Sequence, residues 1–161
     1  MTARCVMVLG TTSGAGKSWL ATALCRWYAR MGLKVAPFKA QNMSNHARVV
    51  TARSGLGEIG SAQYFQALAA RTLPEVRMNP VLIKPEANSK AQVVLLGQVN
   101  NELTQMPWRD RSEMLWPFIT ESLDALRAEN DIVVIEGAGS PAEINLMDRD
   151  IVNLHVARHA N

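Results

Sequence analysis

One stretch limits what this chain can fold into more than any other: Gly10-Thr-Thr-Ser-Gly-Ala-Gly-Lys-Ser18. It follows an apolar run, Cys5-Val-Met-Val-Leu9, and opens a helical pattern that runs to about Met31. Strand, glycine-rich turn, Lys-Ser and helix, in that order, are the context of a phosphate-binding loop. Successive backbone N–H groups in such a turn point inward and cradle anionic oxygens. Gly10, Gly14 and Gly16 let the backbone bend and approach the anion. The candidate cradle is Gly10, Thr11, Thr12, Ser13, Gly14, Ala15, Gly16, Lys17 and Ser18. Lys17 supplies a mobile cation for terminal phosphates, and Ser18 a hydroxyl for Mg²⁺. The helix that begins there aims its positive end at the same spot. The spacing departs from the usual one: five residues separate Gly10 from Gly16 where four are standard, and Thr11 occupies the position glycine usually takes.

After the first helix, with Leu20, Leu24, Trp27, Tyr28 and Met31 on one face, Gly32 is a plausible C-cap. Leu33 to Phe38 reads as a second strand, which Pro37 places near an edge or its end. A strand–helix–strand unit of this kind builds a parallel sheet with right-handed crossovers. The polar segment Lys39-Ala-Gln-Asn-Met-Ser-Asn-His46 follows. It stands where a strand's carboxyl end meets ligands in open α/β sheets. A solvated loop is the competing reading at equal weight. Glu58 to Arg71 reads as a helix with Ile59, Ala62, Phe65 and Ala69 on one face, widened by Leu68. Glu58 at its start suits the helix dipole; a metal role is the sharper reading. Met78 to Pro85 is a short apolar run bounded by prolines, and Gln92 to Gln98 is a strand candidate. Residues 99–109 read as polar and irregular. A helix from about Asp110 to Glu129 carries Leu115, Ile119, Leu123 and Leu126 on one face, and Pro117 fits it only near its first turns or as a kink.

Asp131-Ile-Val-Val-Ile-Glu-Gly-Ala-Gly139 is the second informative stretch. Its apolar run reads as a fully buried strand with a carboxylate, Glu136, at the carboxyl end. Mg²⁺-dependent phosphate chemistry uses an acidic residue there, on the metal directly or through water. The competing reading is a strand-ending glutamate facing solvent. Ser140 to Asp148 is read as a loop, and Asp150 to His159 as a short helix.

Composition narrows the function classes. A net charge of +3 over 161 residues suits an anionic small ligand, but no basic run or aromatic–basic interleaving points to nucleic acid. No apolar stretch is long enough to span a bilayer, and the N-terminus lacks the layout of a signal peptide. Cys5 and Cys25 read as small buried hydrophobes in a reducing, cytoplasmic protein. His46, His155 and His159 have no metal-site spacing and read as surface or packing residues.

Five motifs together resemble the cobyric acid synthase family: Gly10 to Ser18, Pro37-Phe-Lys-Ala-Gln-Asn-Met-Ser-Asn45, Gly57-Glu-Ile-Gly-Ser-Ala-Gln63, Met78-Asn-Pro-Val-Leu-Ile-Lys-Pro85 and Val134-Ile-Glu-Gly-Ala-Gly-Ser-Pro-Ala-Glu-Ile-Asn-Leu146. The long loop is similar to that of the dethiobiotin-synthetase-like group, to which that family belongs. The resemblance implies an α/β, three-layer P-loop NTPase-like fold with a mostly parallel sheet. It implies an ATP- and glutamine-dependent ligase of cobalamin biosynthesis that converts adenosylcobyrinic acid a,c-diamide to adenosylcobyric acid. Carried onto this sequence, it makes Lys17, Lys39 and Glu136 catalytic, and Ser18, Glu58 and Glu136 ligands of Mg²⁺. Gln41, Asn42, Ser44 and Asn45, with Lys39, would line the corrinoid substrate. Gly14 stands where many relatives have aspartate, which puts an extra loop carboxylate in doubt.

Members of that family continue for several hundred residues, into further strands and a class I glutaminase domain. The chain therefore reads as the ATP-binding part of such an enzyme, truncated at its C-terminus, with ammonia coming from a glutaminase domain it does not contain. It is not expected to hydrolyse glutamine by itself. An incomplete sheet would expose an edge and invite self-association. A non-enzymatic nucleotide-binding remnant is the alternative. A ParA/MinD-like switch ATPase is disfavoured, because Thr11 to Ala15 lacks an early lysine.

Overall fold

The computed structural model describes residues 2–12, 14–52, 55–86, 91–139 and 152–161. Its centre is a parallel sheet in which β9 (Ile132–Glu136) lies between β1 (Arg4–Val8) and β2 (Val35–Phe38). A strand with parallel neighbours on both sides and helices on both faces must be apolar throughout, which is why Ile132-Val-Val-Ile135 shows no alternation. Pro37, which has no N–H to donate, sits on β2 at the edge of this sheet, as expected.

Side chains on a strand alternate between faces, and the two faces collect different helices. Val8, Val35 and Val134 join Ala21 and Cys25 of α1 (Lys17–Arg30) and Ala70 at the end of α2 (Ser61–Ala69). Ala36, Phe38, Val133 and Ile135 join Leu115, Ile119, Leu123 and Leu126 of α4 (Trp108–Glu129) and Val156 of α5 (Leu154–Ala160). The result is the expected three-layer α/β arrangement. The α4 face is the predicted one.

Several elements differ from the sequence reading. The α1 face differs in part: Leu24 and Tyr28 pack against the core as read, but Leu20, Trp27 and Met31 are exposed, and Ala21 and Cys25 are the buried positions. Small side chains let the helix axis approach β9 closely, and that proximity decides the packed face. Residues 39–60 are not only a loop. They form β3 (Gln41–Met43), then an antiparallel pair, β4 (Ala47–Ala52) and β5 (Gly55–Gly60). Glu58 and Ile59 therefore belong to β5, and α2 starts only at Ser61, so Glu58 gains nothing from a helix dipole. β3 pairs in parallel with β6 (Val81–Pro85), which continues antiparallel into β7 (Ala91–Leu95) and β8 (Gln98–Val99). Within the stretch read as irregular lies α3 (Asn101–Gln105), capped by the Asn100 side chain accepting from Leu103 N at 2.9 Å. Pro117 lies well inside α4, later than its first turns, where the Thr120 hydroxyl donates to the carbonyls of Trp116 and Pro117 at 3.2 and 3.0 Å. The loop read at 140–148 and the start of the helix read from Asp150 lie outside the described residues.

His155 and His159 pack edge-on against Trp116, and His159 meets Asp124, so both take the packing role read for them. No helix among the described residues is long and apolar enough to cross a membrane. Cys5 and Cys25 are free thiols.

Candidate functional site

The pleat of the sheet assembles the site. Glu136 is two residues after Val134, so it leaves β9 on the face that holds α1 and α2. Lys39 is four residues after Val35, which carries it to the same side at the end of β2. The glycine-rich turn follows β1 and delivers Ser18 in the first turn of α1. Three strand ends thus converge on one carboxylate.

Glu136 is only 2% exposed and is surrounded by donors. Its Oε1 accepts from Ser18 Oγ at 2.9 Å and from Lys39 Nζ at 2.8 Å. Its Oε2 accepts from Gln66 Nε2 at 2.6 Å and, more weakly, from Gln63 Nε2 at 3.4 Å. Removing a carboxylate from water is costly unless it is paired and hydrogen-bonded. This one is satisfied by one ammonium and three neutral donors, which hold it in place.

The loop lies beside this cluster. Lys17 Nζ donates to Thr12 O at 2.9 Å and to Gly139 O at 3.2 Å, bridging the turn to the segment after β9. Gly16 has φ +84°, a left-handed conformation that glycine adopts without strain, and it is the residue before α1. A Cβ at Gly10 would stand 2.9 Å from Ala15 Cβ and 3.0 Å from Lys17 Cγ, so the folded-back lysine needs glycine there. Thr11, Thr12, Gly14, Ala15 and Gly16 are exposed, leaving the outer side of the turn open. Ser13 lies outside the described residues.

The remaining sequence candidates separate from this cluster. Glu58 is held by Lys84 Nζ, at 2.5 and 2.6 Å from its two carboxylate oxygens, and makes no recorded hydrogen bond to Ser18 or Glu136. Gln41 and Asn42 are buried on β3. The Ser44 hydroxyl accepts from His46 N at 3.0 Å, and Asn45 Nδ2 donates to Pro85 O at 3.2 Å. Glu136 is instead bonded by Ser18, Lys39, Gln63 and Gln66. No cluster of three or more His, Cys, Asp or Glu occurs among the described residues. A metal held here would rely on Ser18, Glu136 and ligand oxygens. Hydroxyl and carboxylate oxygens are hard donors that suit Mg²⁺, and the Lys39 ammonium pairs with the same carboxylate oxygen that Ser18 meets.

Four organising residues escaped the sequence reading. Gln63 and Gln66 stand three apart on α2, fully buried. A glutamine pair at helical spacing in an otherwise alanine-rich helix was the available signal. Asn79 is also buried: its Oδ1 accepts from Gly60 N at 3.0 Å, and its Nδ2 donates to Lys39 O at 3.1 Å and Val81 O at 2.9 Å. It ties the end of β2, the end of β5 and the start of β6 together. Asn153 closes around Ala138, with Oδ1 accepting from its N–H at 3.1 Å and Nδ2 donating to its carbonyl at 2.8 Å.

Neither cysteine suits nucleophilic chemistry. Burial pushes the Cys25 thiol up to about 12 and raises that of Cys5 as well. A thiol kept protonated is a weak nucleophile.

Comparison with known proteins agrees with the geometry. Over residues 6–151 the chain matches the family described as the CobQ/CobB/MinD/ParA nucleotide binding domain. It is 78% identical over its whole length to a cobyric acid synthase of Variovorax paradoxus, covering 33% of that protein. It is 76% identical over 99% of its length to one of Paracidovorax citrulli, again covering 33%. With one of Albidiferax ferrireducens it shares 73% identity over its whole length and 33% of the relative's. The chain thus spans about a third of the length of the curated relatives it matches. No solved structure matches it. With its strand, long glycine-rich turn and buried glutamate in the matched region, the chain belongs to the CobQ/CobB/MinD/ParA nucleotide binding domain family.

Proposed function

We propose that this chain is the ATP-activating part of a cobyric acid synthase, as its relatives are named. The observation that carries the reading is the convergence of Ser18 and Lys39 on the same Oε1 of Glu136, beside the glycine-rich turn. A nucleotide-binding switch needs a phosphate cradle and a metal carboxylate. A second buried lysine at the end of β2 adds a group able to face a reacting carboxylate as well as the γ-phosphate.

In this reading the turn from Gly10 to Gly16 holds the triphosphate through backbone N–H groups. Lys17 leaves its two carbonyl partners for the terminal phosphates. Ser18 and Glu136 hold Mg²⁺, which neutralises phosphate charge when bound, and Glu58 is a further candidate ligand once released from Lys84. A corrinoid side-chain carboxylate, positioned by Lys39, Gln41, Asn42, Ser44 and Asn45, attacks the γ-phosphorus. The bond to the β-phosphate oxygen breaks, ADP leaves and an acyl phosphate forms. Ammonia from a glutaminase domain then attacks the acyl carbon, and inorganic phosphate departs with its oxygen. Positioning and charge neutralisation contribute most of the rate in such a transfer. Chemistry of this kind, with two free thiols, belongs in the cytoplasm.

The test supplies the chain with Mg²⁺, ATP and cobyrinic acid a,c-diamide, with hydroxylamine in place of ammonia. Corrinoid-dependent ADP release and a corrinoid hydroxamate are expected, both lost in Lys39→Ala. ATP binding with no corrinoid-dependent ADP would contradict the ligase reading and favour a nucleotide-binding module without chemistry.

A further inference from the structure

Gln63 and Gln66 are fully buried on α2. Burying a primary amide is unfavourable unless it is hydrogen-bonded. An alanine-rich helix packed on an apolar sheet has no packing need for two of them. Both Nε2 groups turn to Glu136 Oε2, at 2.6 Å from Gln66 and 3.4 Å from Gln63, and Gln63 Nε2 also lies 3.5 Å from Gln66 Oε1. The carboxylate is therefore divided. One oxygen is tethered by amides on a helix, and the other is turned toward Ser18 and Lys39.

The chemistry of the tether matters. A cation on Oε2 would cancel the charge that a divalent metal needs. An amide fixes the orientation and leaves the charge intact. On the other oxygen sits an ammonium, a mobile cation on a flexible stem. We propose that Gln66, backed by Gln63, is a positioning residue that holds Glu136 with Oε1 presented to Mg²⁺, so that the metal displaces Lys39 from that oxygen. This rests on the reading of Glu136 as a metal ligand. Without the Gln66 donor only the longer Gln63 contact on α2 holds Oε2, and the carboxylate can turn to offer both oxygens to Lys39, closing the metal position. Two further details fit. Gln63 Oε1 is buried with no hydrogen-bond partner, so the amide is oriented for the benefit of its donor end. At Gly60, an added Cβ would run into Asn42 Nδ2 and stand 3.0 Å from Gln63 Oε1, so Gln63 has its room only because glycine precedes the helix.

Groups that position a metal ligand typically contribute about 10- to 100-fold in metal affinity. The experiment measures ATP binding to the full chain by calorimetry across a series of Mg²⁺ concentrations and without metal. Gln66→Met, similar in size but without the donor, should raise the Mg²⁺ midpoint about 10-fold or more while metal-free ATP affinity stays within about twofold. Gln63→Met, losing the longer contact, should raise it about threefold, and carries the test if Gln66→Met does not fold. An unchanged midpoint overturns the proposal, as do equal losses with and without Mg²⁺, which mark a merely structural role. A wild-type chain whose ATP affinity ignores Mg²⁺ overturns the metal reading of Glu136 as well. A Mg²⁺-dependent wild type with unshifted variants overturns only the role of the glutamines.

Discussion

At the scale of single residues, the glycine-rich turn and the polar groups at the strand ends stood out in the sequence, and the buried amides did not. Lys17, Ser18 and Glu136 stand in stretches whose spacing has a mechanical reason, and Lys39 follows a strand that ends at a ligand-facing edge. Gln63 and Gln66 offered only their helical spacing, and patterning alone reads polar side chains on a helix as outward. That rule fails where a buried carboxylate on the adjacent strand needs donors. Phe65 and Leu68, expected on the packed face, are instead half-exposed. Cys25 was read correctly as a small buried hydrophobe, and its burial has a consequence at alkaline pH. Its folded thiol titrates at about 12 against an ordinary 9.0, so above pH 9 the unfolded chain releases a proton that the folded chain keeps. Stability should then fall as pH rises from 9 toward 12, by at most about 1.4 kcal/mol per pH unit from this group. Urea denaturation of wild type and Cys25→Ala across that range should give a shallower slope for the variant; parallel slopes would contradict the assignment.

At the scale of elements, strands with uniform apolar runs were readable and those defined by distant partners were not. β9 is continuous in the sequence because both of its faces are covered, and β1 carries a similar apolar run beside it. β4 and β5 mix exposed and buried positions, and their pairing with each other is what makes them strands. Glu58 moved from a helix start to a strand for this reason, opposite Val49 and bonded to Lys84. α3 is too short to show periodicity. Asn79 illustrates what local sequence conceals: it lies between Met78 and Pro80 without regular structure, yet serves Gly60, Lys39 and Val81 at once. Removing its amide leaves buried backbone groups without partners, each costing about 1–3 kcal/mol. Asn79→Ala should therefore lose at least about 2 kcal/mol of unfolding free energy in urea. Asn79→Asp, which keeps Oδ1 but buries a carboxylate oxygen against two carbonyls, should lose at least as much as Asn79→Ala. A loss under about 0.5 kcal/mol in Asn79→Ala would contradict the bridging role.

At the scale of the molecule, function follows from where a parallel sheet ends. β1, β2 and β9 run the same way, so their carboxyl ends meet on one side, and the alternation along each strand sends Glu136 and Lys39 toward α1 and α2. The glutamate, 118 residues from Ser18 of the loop and 97 from the lysine in sequence, meets both for that reason alone. The proposal rests on this convergence: a buried carboxylate and the first hydroxyl of α1 would form the metal half of a nucleotide site. Calorimetric titration of ATP with saturating Mg²⁺ and with EDTA tests it most directly, in wild type and in Glu136→Gln, which preserves the shape but not the charge. The account predicts that Mg²⁺ tightens ATP binding about 10-fold or more in the wild-type chain and by less than about twofold in Glu136→Gln. An equal Mg²⁺ gain in both proteins would contradict it.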